Sequence, residues 1–448
     1  MSDTPLTAPI APSDRLSRRQ KPWLLIGGCL AVTTVLWVAG RVSIGFGGSL
    51  WPWLAPSQVV MLWSFTCAAL AIVVVSRAQA LEPLIGGLDN GVRLHRRLGL
   101  AAFLLMGLHV VLLCLHAVQL GQSAAVMLVP FWPGARTVDI AVFYLLAGLG
   151  VLAYAKRMRH ELWLNLHRVI GVLFLLGTAH ASIEDGTIRF FEPLRTWIVI
   201  LLLSGTVAWT YRVLLFRSFG PRFLYTVQRV VQRGPRVVDL ELRPRDRRMM
   251  YQPGTFAFLR TPSLTDHSAE LHPFSISGSP VKRDLRFSIS QVGDFTRAVS
   301  DLSPGDEVEV FGSFGGFTQS HFAPYRRMVW IGAGIGITPF LGMLEFEKSN
   351  DDFRRIWFYY ITRTPEDAVY DSEIRDRFLE ADSYIDYNQW TTTDRGRLTA
   401  AQIMEEVELG DFAVMLCGSS PFVEDMVKQF LALGVPAERI IYEHLQFR

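Results

Sequence analysis

Four histidines, His95, His109, His167 and His180, lie in two apolar stretches of a 448-residue chain. An ionisable side chain at membrane depth is costly, so such a residue marks a function by default. Imidazole is also a ready metal ligand through either ring nitrogen. His95 and His109 are 14 residues apart, which is about 21 Å along a helix, a large part of a hydrocarbon core about 30 Å thick. His167 and His180 are 13 residues apart. Two ligands on each of two neighbouring helices would hold two haems, one near each face of a bilayer. A lone histidine in a span is commonly a hydrogen-bonded packing residue, but four at matched spacing point to ligation. Two imidazoles per iron fill both axial positions, which suits one-electron transfer rather than oxygen binding. The shorter spacing is about 3.6 turns and points His167 and His180 to different sides of an ideal helix, so that helix needs tightening, or unwinding near His180. His116, seven residues beyond His109, reads as a surface histidine near the outer end.

The elements that must carry these ligands follow from composition. Half of the residues are hydrophobic, too many for an ordinary soluble enzyme. The excess is confined to the first half, where six membrane spans are predicted over 22–40, 57–77, 94–117, 138–156, 163–182 and 196–216. Arg15, Arg18, Arg19 and Lys21 precede the first span, and Arg93, Arg96 and Arg97 the third. Lys156, Arg157, Arg159 and Arg168 stand between the fourth and fifth, and Arg212, Arg217 and Arg222 follow the sixth. Because positively charged loops stay cytoplasmic, both termini are expected inside an inner (plasma) membrane, with His95 and His167 at the inner end and His109 and His180 towards the outer end. Pairing is then His95 with His167 and His109 with His180. Residues 1–21 read as a flexible cytoplasmic tail, and the first span as an anchor rather than a cleaved signal. A net charge of +3 gives nucleic-acid binding no support. Cys29, Cys67, Cys114 and Cys417 form no CxxC pair, so no disulfide framework or zinc site is indicated.

After Arg217 the pattern changes. Residues 218–325 read as short strands separated by Gly and Pro turns, which favours a small antiparallel β-barrel. Within it, HPFSIS, with His272, Pro273, Phe274, Ser275 and Ser277, suits a flat ring system. GDFT, from Gly293 to Thr296, opens a helix whose free N–H groups can meet a pyrophosphate. Residues 326–448 alternate strand and helix, a parallel α/β domain. Gly332, Gly334 and Gly336 lie between its first strand and first helix, so backbone can approach phosphates there. Ligands of such sheets sit at the carboxyl ends of the strands, where Arg363 and Cys417 are expected. Arg363 could pair with a 2′-phosphate and favour NADPH over NADH, or be a plain surface arginine. Cys417 could abut a nicotinamide, or pack as a small buried residue.

Together these segments resemble the NADPH oxidase and ferric reductase superfamily, especially its bacterial single-chain members, over nearly the whole chain from about residue 57. The 14- and 13-residue histidine spacings are similar to the family's haem-ligand spacing, and RHELWLNLHR (Arg159 to Arg168) to its segment leading into the fifth span. The resemblance implies a six-helix transmembrane haem-binding bundle over 22–217, a ferredoxin-reductase-like FAD-binding barrel over 218–325 and an NAD(P)H-binding domain over 326–448. It implies FAD contacts from HPFSIS and VGDFT with Gly315. It implies NADPH contacts from GAGIGITPF, including Thr338 and Pro339, and from CGSSPF, including Cys417 and Gly418. It also implies that Phe447 stacks on the flavin. Electrons would then run from NADPH through FAD and two b-type haems to an outer acceptor, oxygen giving superoxide or a ferric chelate. A haem subunit serving a partner protein is the remaining alternative. One departure bears on oxygen: animal members carry a further histidine four residues after the outer ligand, where this chain has Leu113. Oligomeric state is not legible from the residues.

Overall fold

The structure, a computed structural model, describes residues 20–44, 52–133, 137–153, 160–184, 186–264, 271–318, 325–348, 354–378, 384–407 and 411–444. The expected tail over residues 1–19, residues 156–159 and Phe447 lie outside the described residues, as does the side chain of His180. The chain divides into two compact units, Met1–Phe216 and Arg217–Arg448.

The first unit is helical: α1 (Gln20–Ser43), α2 (Leu54–Val73), α3 (Leu88–Gln119), α4 (Thr137–Ala153), α5 (His160–Glu184) and α6 (Glu192–Thr210), the last running on through a π turn at Tyr211–Leu215. Four of these, α1, α2, α3 and α6 with its extension to Phe219, are long and apolar enough to cross a membrane. The expected fourth and fifth spans fall on α4 and α5, whose apolar stretches, Thr137–Ala153 and Leu162–Thr178, are shorter. The helices bury small and hydroxylated residues and turn large apolar ones outward. Ala69, Thr33 and Thr66 are buried, while Val35, Leu104 and Val207 are each more than 60% exposed. That is the reverse of a water-soluble bundle and what packing in lipid demands. Hydroxyl bonds join the helices: Thr33 with Thr66 at 3.0 Å, Trp197 Nε1 to Thr33 at 2.8 Å, and Ser64 to the carbonyl of Ala102 at 2.8 Å. At Gly91 a Cβ would lie 2.4 Å from the carbonyl oxygen of Val74, so glycine lets α3 close against the end of α2.

The second unit holds two sheets. Strands β1 (Arg222–Gly234), β2 (Val237–Pro244), β3 (Phe256–Arg260), β4 (His272–Ser275), β5 (Leu285–Ser290) and β6 (Glu307–Phe314) pair antiparallel in the order β4-β3-β6-β1-β2-β5. A bridge between Ile276 and Phe287 joins the two ends of that order, giving a barrel-like closure that leaves few open edges. A short helix, α7 (Asp294–Ala298), follows β5. Strands β7 (Arg327–Ala333), β8 (Arg355–Thr362), β9 (Ile385–Thr391), β10 (Phe412–Gly418) and β11 (Ile440–His444) form a parallel sheet in the order β11-β10-β7-β8-β9. Helices α8 (Thr338–Lys348), α9 (Asp371–Phe378), α10 (Ala400–Glu406) and α11 (Ser420–Ala432) connect it. The strands read as continuous apolar runs because helices cover both faces. Trp330, Phe340 and Phe358 are fully buried between sheet and helix, each stabilising the fold by roughly 1.5–3 kcal/mol. The strand order reverses between β7 and β10, the place where doubly wound sheets bind ligands.

Candidate functional site

His95 on α3 and His167 on α5 face one another with their Nε2 atoms 3.4 Å apart and ring planes at 81°. The Nδ1 of His95 lies 2.8 Å from the carbonyl oxygen of Ala71 on α2. A carbonyl only accepts, so Nδ1 carries the hydrogen and Nε2 presents a bare lone pair. His109 repeats the arrangement fourteen residues on, its Nδ1 2.9 Å from the carbonyl oxygen of Ser57 on the same helix. Ser57 and Ala71 are themselves 14 residues apart, so antiparallel pairing of α2 with α3 fixes both rings in the tautomer that a metal requires. Trp163, one turn before His167, stacks on its ring at 4.9 Å with planes 7° apart, and donates its own N–H to Ala153. Two facing imidazoles, one of them with its Nε2 lone pair free, are a donor set that fits a metal. The His109–His180 pairing falls on an undescribed side chain. His116 is buried at the far end of α3, not a surface residue as expected.

In the barrel, His272 to Ser275 form β4 at one end of the strand order. The ring of His272 stacks on Phe295 of α7 at 3.9 Å, and Phe274 lies 6.1 Å from the same ring. An aromatic ledge thus joins the two segments expected to meet a flavin. Gly293 is extended and precedes α7. The Oγ1 of Thr296 accepts the N–H groups of Val292 and Gly293 and donates back to the Gly293 carbonyl, so this hydroxyl shapes the turn. Ser277 is fully buried, its hydroxyl within hydrogen-bond distance of the Arg286 carbonyl and of the Ser288 hydroxyl. Gly315 has φ +104° and would bring a Cβ within 2.9 Å of the Phe256 ring, so only glycine fits this turn.

The parallel sheet brings the other candidates to one crevice. Gly334 is left-handed at φ +56° and opens a tight turn before α8, where Thr338 donates its hydroxyl to the Ile335 carbonyl and Pro339 occupies the first turn. A Cβ on Gly336 would lie 2.3 Å from the carbonyl oxygen of Cys417, and one on Gly332 2.9 Å from the Cα of Ile337. Gly418 is packed equally tightly against Ala333. Backbone therefore lines this end of β7 and β10, as close approach to a phosphate chain needs. Cys417 is fully buried, with Gly332 and Glu443 beside it in register. Burial, and then the charge of Glu443, pushes its thiol pKa up, so it stays a neutral group and not a thiolate nucleophile. Arg363 is exposed just beyond β8, and its carbonyl accepts the N–H of Thr393. Arg395 and Arg397, a few residues beyond Thr393, are exposed arginines that reading along the chain missed. Buried Glu443 was missed likewise, since only strand order sets it beside Cys417.

Comparison with known proteins gives three consecutive domain matches. Residues 61–178 match a ferric reductase like transmembrane component, residues 224–309 an FAD-binding domain and residues 330–428 an oxidoreductase NAD-binding domain. The reductase component of propane 2-monooxygenase from Rhodococcus jostii is 28% identical over 210 residues, 43% of this chain and 55% of that one. NADPH oxidase 1 of Mus musculus is 28% identical over 184 residues, 38% of this chain and 30% of that one. The chain thus spans about half or less of the length of these curated relatives. Among solved structures, the flavohemoglobin of Malassezia yamatoensis superposes with a TM-score of 0.52 at 18% identity, covering 87% of this chain and 99% of that one. At that identity the likeness is one of fold.

Proposed function

Because the chain belongs to the NADPH oxidase and ferric reductase superfamily, we propose that it carries electrons from cytoplasmic NADPH through FAD and two b-type haems to an acceptor outside the membrane. The observation that carries this reading is the facing pair His95 and His167, Nε2 to Nε2. When bound, FAD takes a hydride and releases electrons singly, and haems held by two histidines carry them one at a time.

The protein's own residues hold and orient. His95 and His167 ligate the inner haem and His109 with His180 the outer one, with α2 carbonyls fixing two of the rings. The His272–Ser275 strand with the Phe295 ledge and Gly293 seats FAD, and Phe447 stacks on its ring. Gly332, Gly334, Gly336 and Gly418 admit NADPH. With both termini cytoplasmic, export of each electron is favoured by an inside-negative potential by about 2.3 kcal/mol per 100 mV.

Oxygen is the acceptor we favour, giving superoxide. Leu113, at the position of an extra histidine in animal members, favours a ferric chelate as the second reading. The test is a reduced-minus-oxidised spectrum after NADPH is added without oxygen, followed by turnover with cytochrome c and ferric citrate, with and without superoxide dismutase. Flavin bleaching with two reduced haems per chain is expected. Silence at the haem bands would overturn the electron path, and fast ferric reduction without dismutase-sensitive signal would overturn oxygen.

Arg363→Ala is expected to weaken NADPH by about 10- to 100-fold and NADH by little, since a charge-assisted bond to a 2′-phosphate contributes about 1.5–3 kcal/mol. Equal losses with the two nucleotides, measured as kcat/KM, would remove Arg363 from that role and leave Arg395 and Arg397 as the candidates.

A further inference from the structure

A chain of buried polar groups ties the nucleotide-binding sheet to the barrel, and neither cofactor site uses it. Asp239 on β2 is fully buried. Its Oδ1 accepts from the Ser288 hydroxyl and from the Tyr370 hydroxyl, each at 2.6 Å, and its Oδ2 accepts from Arg233 Nε at 2.7 Å. Tyr370 directly precedes α9. On that helix Glu373 accepts from Arg286 of β5 at 2.5 Å and lies 3.4 Å from Arg233. The other terminal nitrogen of Arg286 donates to the carbonyl of Ser277 at 3.2 Å, and the Arg286 carbonyl accepts the N–H groups of Ser277 and Gly278. Burial, then the charge of Asp239, pushes the Tyr370 pKa up, so its hydroxyl keeps the proton it donates.

The surrounding packing is equally close. A Cβ on Gly342 of α8 would lie 2.5 Å from the Gly278 carbonyl oxygen. Tyr251 donates to that same oxygen, and Lys282 pairs with Glu345 of α8. The bonds from Arg286 and Tyr251 and the Gly342 contact end on Ser277 and Gly278, in the segment that directly continues the strand His272–Ser275.

As a source of stability this network is a poor choice, because buried ion pairs commonly gain nothing over well-packed apolar groups. Its distinguishing property is direction. An apolar contact tolerates sliding, whereas several charge-assisted bonds lost together with a displacement of about an ångström do not. A misplacement of that size can cost about 100-fold in rate when reacting atoms must be held near 3–3.5 Å. Resting on the flavin and nucleotide reading above, we infer that Tyr370 and Glu373 are positioning residues for hydride transfer. They lock the nucleotide-binding sheet onto the 276–278 segment and so fix the distance between nicotinamide and flavin.

The test uses the full chain in lipid nanodiscs loaded with FAD. Tyr370→Phe and Glu373→Gln are expected to keep flavin content, and to leave the NADPH dissociation constant within about twofold. The rate of flavin reduction measured without oxygen should fall by about 10- to 100-fold. The isotope effect with 4-deuterated NADPH should change, and Glu373→Asp should recover part of the rate. In nucleotide-free protein, amide hydrogen exchange at Ser277 and Gly278 and across α9 should accelerate in both variants. Parent-like flavin reduction with unchanged exchange would overturn the inference, as would flavin loss matching the rate loss in both variants. A parent chain whose flavin NADPH does not bleach would sink the functional reading instead, while the exchange measurement would still decide whether the network docks the sheet.

Discussion

His95→Leu and His167→Leu are each expected to remove the same single haem, halving haem per chain while flavin content stays at the parent level. Their Nε2 atoms face each other across 3.4 Å from positions 72 residues apart in sequence, so under the proposed reading both imidazoles serve one ligation site. Residues that serve one site do not add, and the double variant should lose no more than either single one. His109→Leu should remove the other haem, leaving the spectrum of the His95–His167 site intact, and combined with His95→Leu it should leave none. Haem extracted as its pyridine complex, measured against flavin released by heat, provides the ratio. Stepwise loss on combining His95→Leu with His167→Leu would place the two histidines in separate sites, and equal loss of haem and flavin would signal unfolding.

What the sequence discloses about this site, and what it conceals, follow from one physical distinction. The histidines are legible because an ionisable group in an apolar run is costly and therefore rare, and their spacing along a helix is a local quantity. The carbonyls that orient them are not legible. Ala71 and Ser57 contribute backbone oxygen, which every residue has, and they meet the histidines only because α2 returns antiparallel to α3 in one register. The glycines of the β7 turn are recognisable from strand-before and helix-after. The reason Gly336 admits no side chain, the Cys417 carbonyl, arrives from a strand some 80 residues later in the chain.

Ser277 illustrates the opposite case. In HPFSIS it reads as one more hydroxyl facing a cofactor, but the structure buries it against Arg286 and Ser288. His116 reads as a surface residue by its place at the end of a span, and the structure buries it. The Asp239–Tyr370 bond links residues 131 apart, and no periodicity announces it. Periodicity does announce the helices. The stretch 138–156 falls on α4, described over Thr137–Ala153.

Gly336→Val is expected to lower kcat/KM for NADPH at least 100-fold, a loss of about 2.7 kcal/mol in transition-state stabilisation, without changing haem or flavin per chain. The added Cβ would stand 2.3 Å from the Cys417 carbonyl oxygen and 2.9 Å from the Gly418 Cα. Both neighbours are backbone, so neither can swing aside, and relief requires moving the end of β10 away from β7. Under the proposed reading that is the crevice the dinucleotide occupies. Overpacking of this kind costs about 1–3 kcal/mol in folding, which the large buried cores on both faces of the sheet can absorb. Gly334→Ala provides the internal control: its position is left-handed at φ +56° but open, with nothing within 4 Å of a Cβ, so it incurs backbone strain of about 1–2 kcal/mol without blocking the crevice. Reducing the haems directly with dithionite bypasses the nucleotide, and reoxidation by the acceptor should then run at the parent rate in both variants. If Gly336→Val instead turns over NADPH like the parent, the dinucleotide does not approach this turn, and the nucleotide site has to be sought elsewhere along the sheet.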